Sequence, residues 1–316
     1  MAYRKVTRFV SAADGTRIAY HTHLGEDLTE AQEDSLCARP AVLLTSGIGT
    51  SENFWRYLVE ALCREYRVVH WDYRGHGQSD VGRGGDYSIA TQADDLRRVT
   101  EAVMARGSAP SQPPLHVAFS MGVCVLLEFF RHHPQLVPAV ALIAGAPDGP
   151  GLGIRPEPVP GFRSAVQVAL RAFEPAVPVV GPAVQKLLSL PIIYPLGRAA
   201  GMLRERAPRP DIDEFMRSLQ RMDPVAYWRT LRALMDAQTS DVLPRLKVPV
   251  LVIAAENDVL IPSREVERMK DAIPHARWLR VTDAGHAGLL EAGQEVSEAL
   301  VGFLREVGGA KEAATG

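Results

Sequence analysis

Cysteine is scarce in this chain. Cys37, Cys63 and Cys124 are the three among 316 residues, scattered and without the paired spacing of a metal site. An odd number of thiols argues against a disulfide framework and fits a reducing compartment. A surplus of either charge is missing too, since 35 Lys and Arg face 37 Asp and Glu for a net charge of -2. Without a dense basic stripe the chain is not built to track a nucleic-acid backbone. No unbroken apolar run is long enough to span a bilayer, and the opening Met-Ala-Tyr-Arg-Lys-Val-Thr-Arg has no apolar signal region. A cytoplasmic protein without stable membrane association is therefore expected. No G-x-G-x-x-G follows a strand-like run and no zinc spacing occurs, so neither a dinucleotide cofactor nor a metal is expected.

What is present is 47% hydrophobic and 23% charged residues, enough to bury a large core in one large domain or two ordinary ones. Short apolar runs bounded by Gly and Pro alternate with runs of helical spacing. A hairpin is expected around Ala13-Asp14-Gly15, and strands over Ala41 to Leu44, Val68 to Trp71, Leu115 to Phe119 and Ala139 to Ile143. Helices are expected over Ser51 to Glu65 and Ser88 to Arg106, and from Met121 to the stop at Pro134. The alternation breaks after residue 147. It resumes with a strand over Val250 to Ala255, a helix over Ser263 to Ile273, a strand over Trp278 to Val281 and a helix over Gln294 to Val307. Regular alternation of this kind predicts an α/β fold with a mostly parallel central sheet flanked by helices. Residues 1–147 and 223–316 then form the core, and residues 148–222, rich in Pro and apolar residues, form an inserted helical cap. The acidic stretch Gly25 to Glu33 reads as a solvated loop and the tail from Gly308 as disordered.

Ala118-Phe119-Ser120-Met121-Gly122 lies where the strand ending at Phe119 turns into the next helix. A turn that sharp strains its central residue and requires very small neighbours two positions away. It leaves a hydroxyl at a helix N-terminus, where backbone N–H groups favour negative charge. This is the nucleophile elbow of the α/β-hydrolase family, which the chain resembles, with Ala118 in place of the usual first Gly. Asp72-Tyr73-Arg74-Gly75-His76-Gly77-Gln78-Ser79 resembles the D-x-R-G-x-G-x-S turn of the same family, whose part is structural. The resemblance covers residues 6 to 147 and 240 to 307.

The resemblance implies the chain order Ser, acid, His for a catalytic triad. Ser120, Asp258 and His286 each follow a predicted strand in that order and are the expected catalytic residues. Glu256, Asp148 and Asp283 are rivals for the acid. The implied oxyanion hole uses two backbone amides, of Met121 and of Ile48 in the loop Ser46-Gly47-Ile48, where Ser46 replaces the usual histidine. His76 reads as a loop residue, His21 and His23 as one solvated strand face, and His132 and His133 as helix-terminal cations. Phe162, Val166, Ala169, Leu170 and Phe173, with Val184, Leu187 and Leu188, recur at helical spacing and are expected mainly to pack on the core. Tyr194, Phe215, Tyr227 and Trp228 are candidates to line a pocket.

The expected function is a serine hydrolase of carboxylic esters, thioesters or lactones, working through an acyl-enzyme on a small hydrophobic ester-type substrate without a cofactor. The same triad serves an acyltransferase or a cofactor-free perhydrolase of the haloperoxidase type. A binding or receptor protein on the same fold is the reading from a different class. A serine rather than an aspartate at the elbow disfavours epoxide hydrolase and dehalogenase chemistry.

Overall fold

The computed structural model describes residues 4–25, 30–50, 52–106, 112–149, 162–188 and 190–315. Its strands are β1 (Lys5–Ser11), β2 (Arg17–His23), β3 (Ala41–Thr45), β4 (Arg67–Trp71), β5 (Leu115–Phe119), β6 (Val140–Ile143), β7 (Val250–Ala255) and β8 (Arg277–Val281). They form one eight-stranded sheet in the order β1-β2-β4-β3-β5-β6-β7-β8. The pairs β1–β2 and β2–β4 are antiparallel and all others parallel.

The central strands are apolar throughout because both faces are covered, and successive side chains enter different cores. Leu43, Ala118, Leu142, Val252 and Ala254 face the helices α2 (Ile89–Ala105), α3 (Met121–His132) and α9 (Ser263–Asp271). Val42, Leu44, Val117, Phe119, Ala141, Ile143, Leu251 and Ile253 face α1 (Arg56–Leu62) and α11 (Gly293–Thr315). Ser88 caps α2 by accepting the Thr91 N–H at 3.2 Å. Beside it, Arg74 forks onto the buried Asp95 carboxylate with two bonds of 2.9 Å, locking the Asp72–Ser79 turn to α2.

Between β6 and β7 run α4 (Phe162–Phe173), α5 (Val177–Leu188), α6 (Ile193–Ala199), α7 (Arg209–Arg221) and α8 (Pro224–Asp236). Trp228 of α8 donates to the Leu170 carbonyl at 3.0 Å and packs on Phe173, with ring centroids 5.3 Å apart, so these helices hold one another. The expectation that their apolar faces bury on the core fails in part. Val184 and Leu187 stay 45% and 56% exposed, and Phe173 and Val168 are exposed too. α5 is apolar nearly all round, so only one strip, including the buried Val177, can face the body. Phe162 opens α4, and its side chain lies outside the described residues. Among the described residues no single helix is long and apolar enough to cross a membrane. Only the bent pair Ser164–Leu188 and Ile193–Ala199 reaches that length and apolarity, turning 82° between its halves.

Three other expectations change. The helix after β3 begins as a 3-10 turn over Glu52–Trp55 before α1. Of the Gly25 to Glu33 stretch expected as a solvated loop, residues 26–29 lie outside the described residues. From Glu30 on it is the start of a 3-10 helix, Glu30–Ala38, in which Glu33 is buried with Arg8 of β1 forking onto its carboxylate. The tail continues α11 as helix to Thr315 instead of ending it near Gly308.

Candidate active site

Strand β5 ends at Phe119 and α3 begins at Met121, leaving Ser120 alone to turn the chain. Its backbone has φ 53 and ψ -121, a conformation a side chain rarely tolerates. Gly122 explains how the turn closes. A Cβ there would sit 2.4 Å from the Thr45 carbonyl oxygen, so only glycine lets the first turn of α3 lie against the end of β3. Ala118 is fully buried, opposite Thr45 on one side and Leu142 on the other, and a methyl fits the position.

The His286 ring links the three polar residues expected at the site. Its Nε2 lies 3.0 Å from the Ser120 Oγ, and its Nδ1 lies 2.7 Å from the Asp258 Oδ2. Asp258 follows β7 and its side chain is fully buried. Its other oxygen accepts the Leu260 and Ile261 N–H groups at 2.8 Å each, which fixes the carboxylate in the plane His286 needs. Phe119 packs against the His286 ring at 5.3 Å between centroids.

The rivals for the acid have other partners. Glu256 pairs with Arg280 at 3.2 Å on the surface. Asp148 accepts the Thr239 and Ser240 N–H groups at 2.9 and 3.1 Å, closing the return from α8. Asp283 turns the chain at φ 50 and pairs with Arg204 at 2.9 Å.

The loop Ser46-Gly47-Ile48 flanks the serine. A Cβ on Gly47 would lie 3.0 Å from the Ser120 Cβ. Ser46 is buried and held at both ends. Its Oγ takes the Trp55 indole N–H at 2.9 Å, and its carbonyl takes the Tyr73 hydroxyl at 2.7 Å. The usual histidine is thus replaced by a small residue braced by two aromatics. Met121 is buried at the first position of α3, and Ile48 packs against the same core.

Of the four pocket candidates, two are near. Gly49, at φ 71, leaves room for Leu219 and Tyr227, whose nearest atoms would meet a Cβ at 2.6 and 3.0 Å. Burial raises the Tyr227 hydroxyl above its ordinary pKa. Phe215 stacks edge-on against Phe54 at 5.2 Å, and Phe54 against Phe119 at 5.8 Å, so an aromatic chain runs from α7 to the His286 ring. Trp228 serves the contact with α4 instead. Tyr194 binds the Ala207 carbonyl at 3.1 Å and borders a separate small cavity with Leu188 and Met216.

One residue at the site is not anticipated from the sequence. Glu291 lies in α10 (Gly288–Glu291) and is 4% exposed. Its carboxylate accepts the Gly285 N–H at 2.5 Å and the Arg204 N–H at 2.8 Å, gripping the loop that carries His286. Burial raises its pKa while these two amides pull it down. The available signal is an acid inside the apolar run Leu289-Leu290-Glu291-Ala292.

The remaining histidines divide. His76 is buried, with Nδ1 3.1 Å from the Arg74 carbonyl, as a loop residue. His132 is exposed beside Glu128 at the end of α3. The solvated face expected for His21 and His23 is overturned, because both rings are buried between β1 and β4 and contact Thr7, His70 and Asp72.

Among solved structures, the chain is similar to an esterase from Exiguobacterium antarcticum, with TM-score 0.73 and 21% identity over 94% of this chain and 98% of that one. It is also similar to a bromoperoxidase from Bacillus anthracis, with TM-score 0.73 and 19% identity over 95% and 100%. At these identities the likeness is one of fold. A putative carbamate hydrolase, RutD, of Stutzerimonas stutzeri is 25% identical over 267 residues, 84% of this chain and 92% of that protein. An uncharacterised protein of Mycobacterium tuberculosis is 28% identical over 262 residues, 78% of this chain and 70% of its own length. Residues 37–291 match the hydrolase family described as serine aminopeptidase, S33. With more than half its length in that match and this sheet beneath it, the chain belongs to this family of α/β-hydrolase fold enzymes.

Proposed function

We propose that the protein is a serine hydrolase of carboxylic esters with a hydrophobic acyl part, working through an acyl-enzyme on Ser120. The observation that carries this reading is the relay from Ser120 through His286 to Asp258, at 3.0 and 2.7 Å, starting from a strained serine at a helix N-terminus. In the proposed reaction the Ser120 Oγ attacks the ester carbonyl carbon and its proton passes to the His286 Nε2. Asp258 holds the ring in the tautomer with Nδ1 protonated and stabilises the imidazolium. The carbonyl oxygen, now carrying negative charge, accepts from the Met121 and Ile48 amides. Collapse of the tetrahedral species breaks the bond to the alcohol, which leaves with the proton from His286. Water, deprotonated by the same ring, then releases the acid and restores Ser120.

Phe215, Leu219 and Tyr227 supply an apolar wall beside the Ser46–Gly49 loop, and helices α4 to α8 act as the cap over it. This favours an apolar acyl group over a sugar or a phosphate. Each methylene buried there contributes roughly 0.8 kcal/mol of binding. Chromogenic esters from acetate to octanoate test the reading. Medium chains should exceed acetate in kcat/KM by about tenfold, and Ser120→Ala should lower turnover by at least ~10³-fold. A flat profile removes the acyl wall, and turnover surviving in Ser120→Ala removes the nucleophile. Lactone and carbamate substrates, and alcohol or peroxide as competing acceptors, separate ester hydrolysis from other fates of the acyl group.

A further inference from the structure

Beginning two strands from β5 in the sheet order, the ladder brings imidazoles and carboxylates together on one face of the antiparallel end. Thr7 of β1 is paired with His21 of β2, and His21 with His70 of β4. Asp72, two residues past His70, projects to the same face because side chains alternate along a strand. The His21 and His70 rings stack at 4.4 Å. The His21 Nε2 lies 2.9 Å from the Asp72 Oδ2, and the His70 Nε2 lies 4.0 Å from the Asp72 Oδ1. One nitrogen of each ring and one Asp72 oxygen all lie within 4.8 Å of one another. Glu52, in the 3-10 turn after β3, brings an oxygen to 3.9 Å from the His70 Nε2.

We propose that these side chains form a binding site for a divalent transition-metal ion of the zinc type. His21 Nε2, His70 Nε2 and an Asp72 oxygen are the ligands, and Glu52 supplies a fourth. Nitrogen and oxygen atoms around tetrahedral zinc stand roughly 3.3 Å apart, given bonds of about 2.0 Å. Here the nearest approaches are 2.9, 3.9 and 4.0 Å, and all the ligand atoms of the two histidines and Asp72 lie within 4.8 Å of one another. Seating the ion therefore requires His70 and Glu52 to draw inward and the stacked rings to turn toward a common point. Two imidazoles with carboxylates suit zinc rather than calcium or magnesium, which take oxygen ligands.

The outer shell supports the same assignment. The far nitrogen of each ring is engaged, His21 Nδ1 by the Thr7 hydroxyl at 2.9 Å and His70 Nδ1 by the His23 Nε2 at 2.8 Å. Such contacts fix the ring plane and leave the near nitrogen aimed at the site. Without the ion, the proton between His21 and Asp72 occupies the ligand position. On binding it is transferred to Nδ1, where the Thr7 hydroxyl accepts as readily as it donates, and the ring remains a neutral imidazole. A cavity of about 640 Å³, bordered by His70, Asp72, Glu52 and Gln78, gives the ion a route in.

Lys5 opposes binding. Its ammonium contacts the Glu52 carboxylate at the mouth and must swing aside before Glu52 can coordinate. That makes Lys5 a diagnostic position. Removing its charge frees the Glu52 carboxylate and should tighten metal binding. A bound ion would tie the turn after β3, and through it the Ser46–Gly49 loop, to β2 and β4.

The test is a titration of the full chain, stripped with EDTA and desalted, with Zn²⁺ by calorimetry and with Co²⁺ by visible absorption. One ion per chain, the absorption of tetrahedral Co²⁺, and a rise in Tm with Zn²⁺ are expected. His70→Gln should weaken binding by at least about tenfold, and Lys5→Met should strengthen it by about threefold. His132→Ala, at an exposed histidine on α3, should change nothing. Glu52→Gln, on a half-exposed side chain, weakens binding without disturbing the buried ladder and serves if His70→Gln fails to fold. Absence of a saturable one-to-one site in the wild-type chain overturns the proposal. So does a site whose affinity is unchanged in Glu52→Gln and in whichever histidine variant folds.

Discussion

Single polar residues at the site make hydrogen bonds that leave each polar group one role. Asp258 spends one oxygen on two backbone amides and the other on His286. Asp258→Asn should therefore place an amide donor against those N–H groups or against the ring, and lower turnover by ~10³-fold or more. Asp148→Asn disturbs only the Thr239 and Ser240 contacts and should leave kcat/KM within about threefold of wild type. Parallel ester assays on the two variants, with circular dichroism as the folding check, separate them. Glu291→Gln tests the positioning role. A glutamine turns one of its two acceptors into a donor facing Gly285 or Arg204, so the His286 loop loosens. The expected outcome is a fall in kcat of about tenfold with KM little changed. A merely structural residue would lower Tm and leave kcat per folded molecule intact.

The elements explain what could be read from the sequence and what could not. Ser120, Asp258 and His286 are legible as candidates because each follows a strand-like run, apolar in β5 and β7 and mixed in β8, and strand ends are what a parallel sheet presents along one edge. The strands themselves were legible from their apolar runs to within a residue or two. Glu291 was not, since its partners come from Gly285 and from Arg204, which lies far away in the chain. The burial of His21 and His23 was hidden for a related reason. Two histidines at alternate positions look solvated until β4 is known to lie beside β2 with His70 and Asp72 on the same face. The outward apolar side chains of α5 are not legible in the sequence, because helical spacing says which residues share a face and not what covers it.

His116, fully buried on β5, is held to a pKa of about 4 by burial, though its Nε2 lies 3.2 Å from the Leu136 carbonyl. Its folded value lies below the unfolded one, so the unfolded chain binds the proton first. The contribution to stability is full above pH 6.5 and is lost as pH falls toward 4. Urea melts of His116→Leu should show less acid sensitivity than wild type across that range, by up to about 3 kcal/mol. Equal slopes would show that His116 does not govern this limb.

For the whole molecule, one twisted sheet carries two separate groupings of polar side chains. At its centre, the ends of β5 and β7 and the loop after β8 converge on Ser120. At its antiparallel end, β1, β2 and β4 gather the buried histidines. The inserted helices reach the first of these through Phe215, Leu219 and Tyr227, so substrate choice should respond to changes there and not to changes along the outer faces of α5 and α6. Leu219→Ala should shift the preferred acyl length, while Leu187→Ala, on an exposed side chain, should not.

The most direct measurement is covalent labelling with an alkyl p-nitrophenyl phosphonate, which reacts with an activated serine and stays there. Intact mass should rise by one adduct per chain, with loss of ester hydrolysis in step, and peptide mapping should place the adduct on Ser120. Labelling should fall sharply in His286→Ala, because the serine then lacks its base. An adduct on another residue, or full esterase activity in a fully labelled protein, would contradict the account.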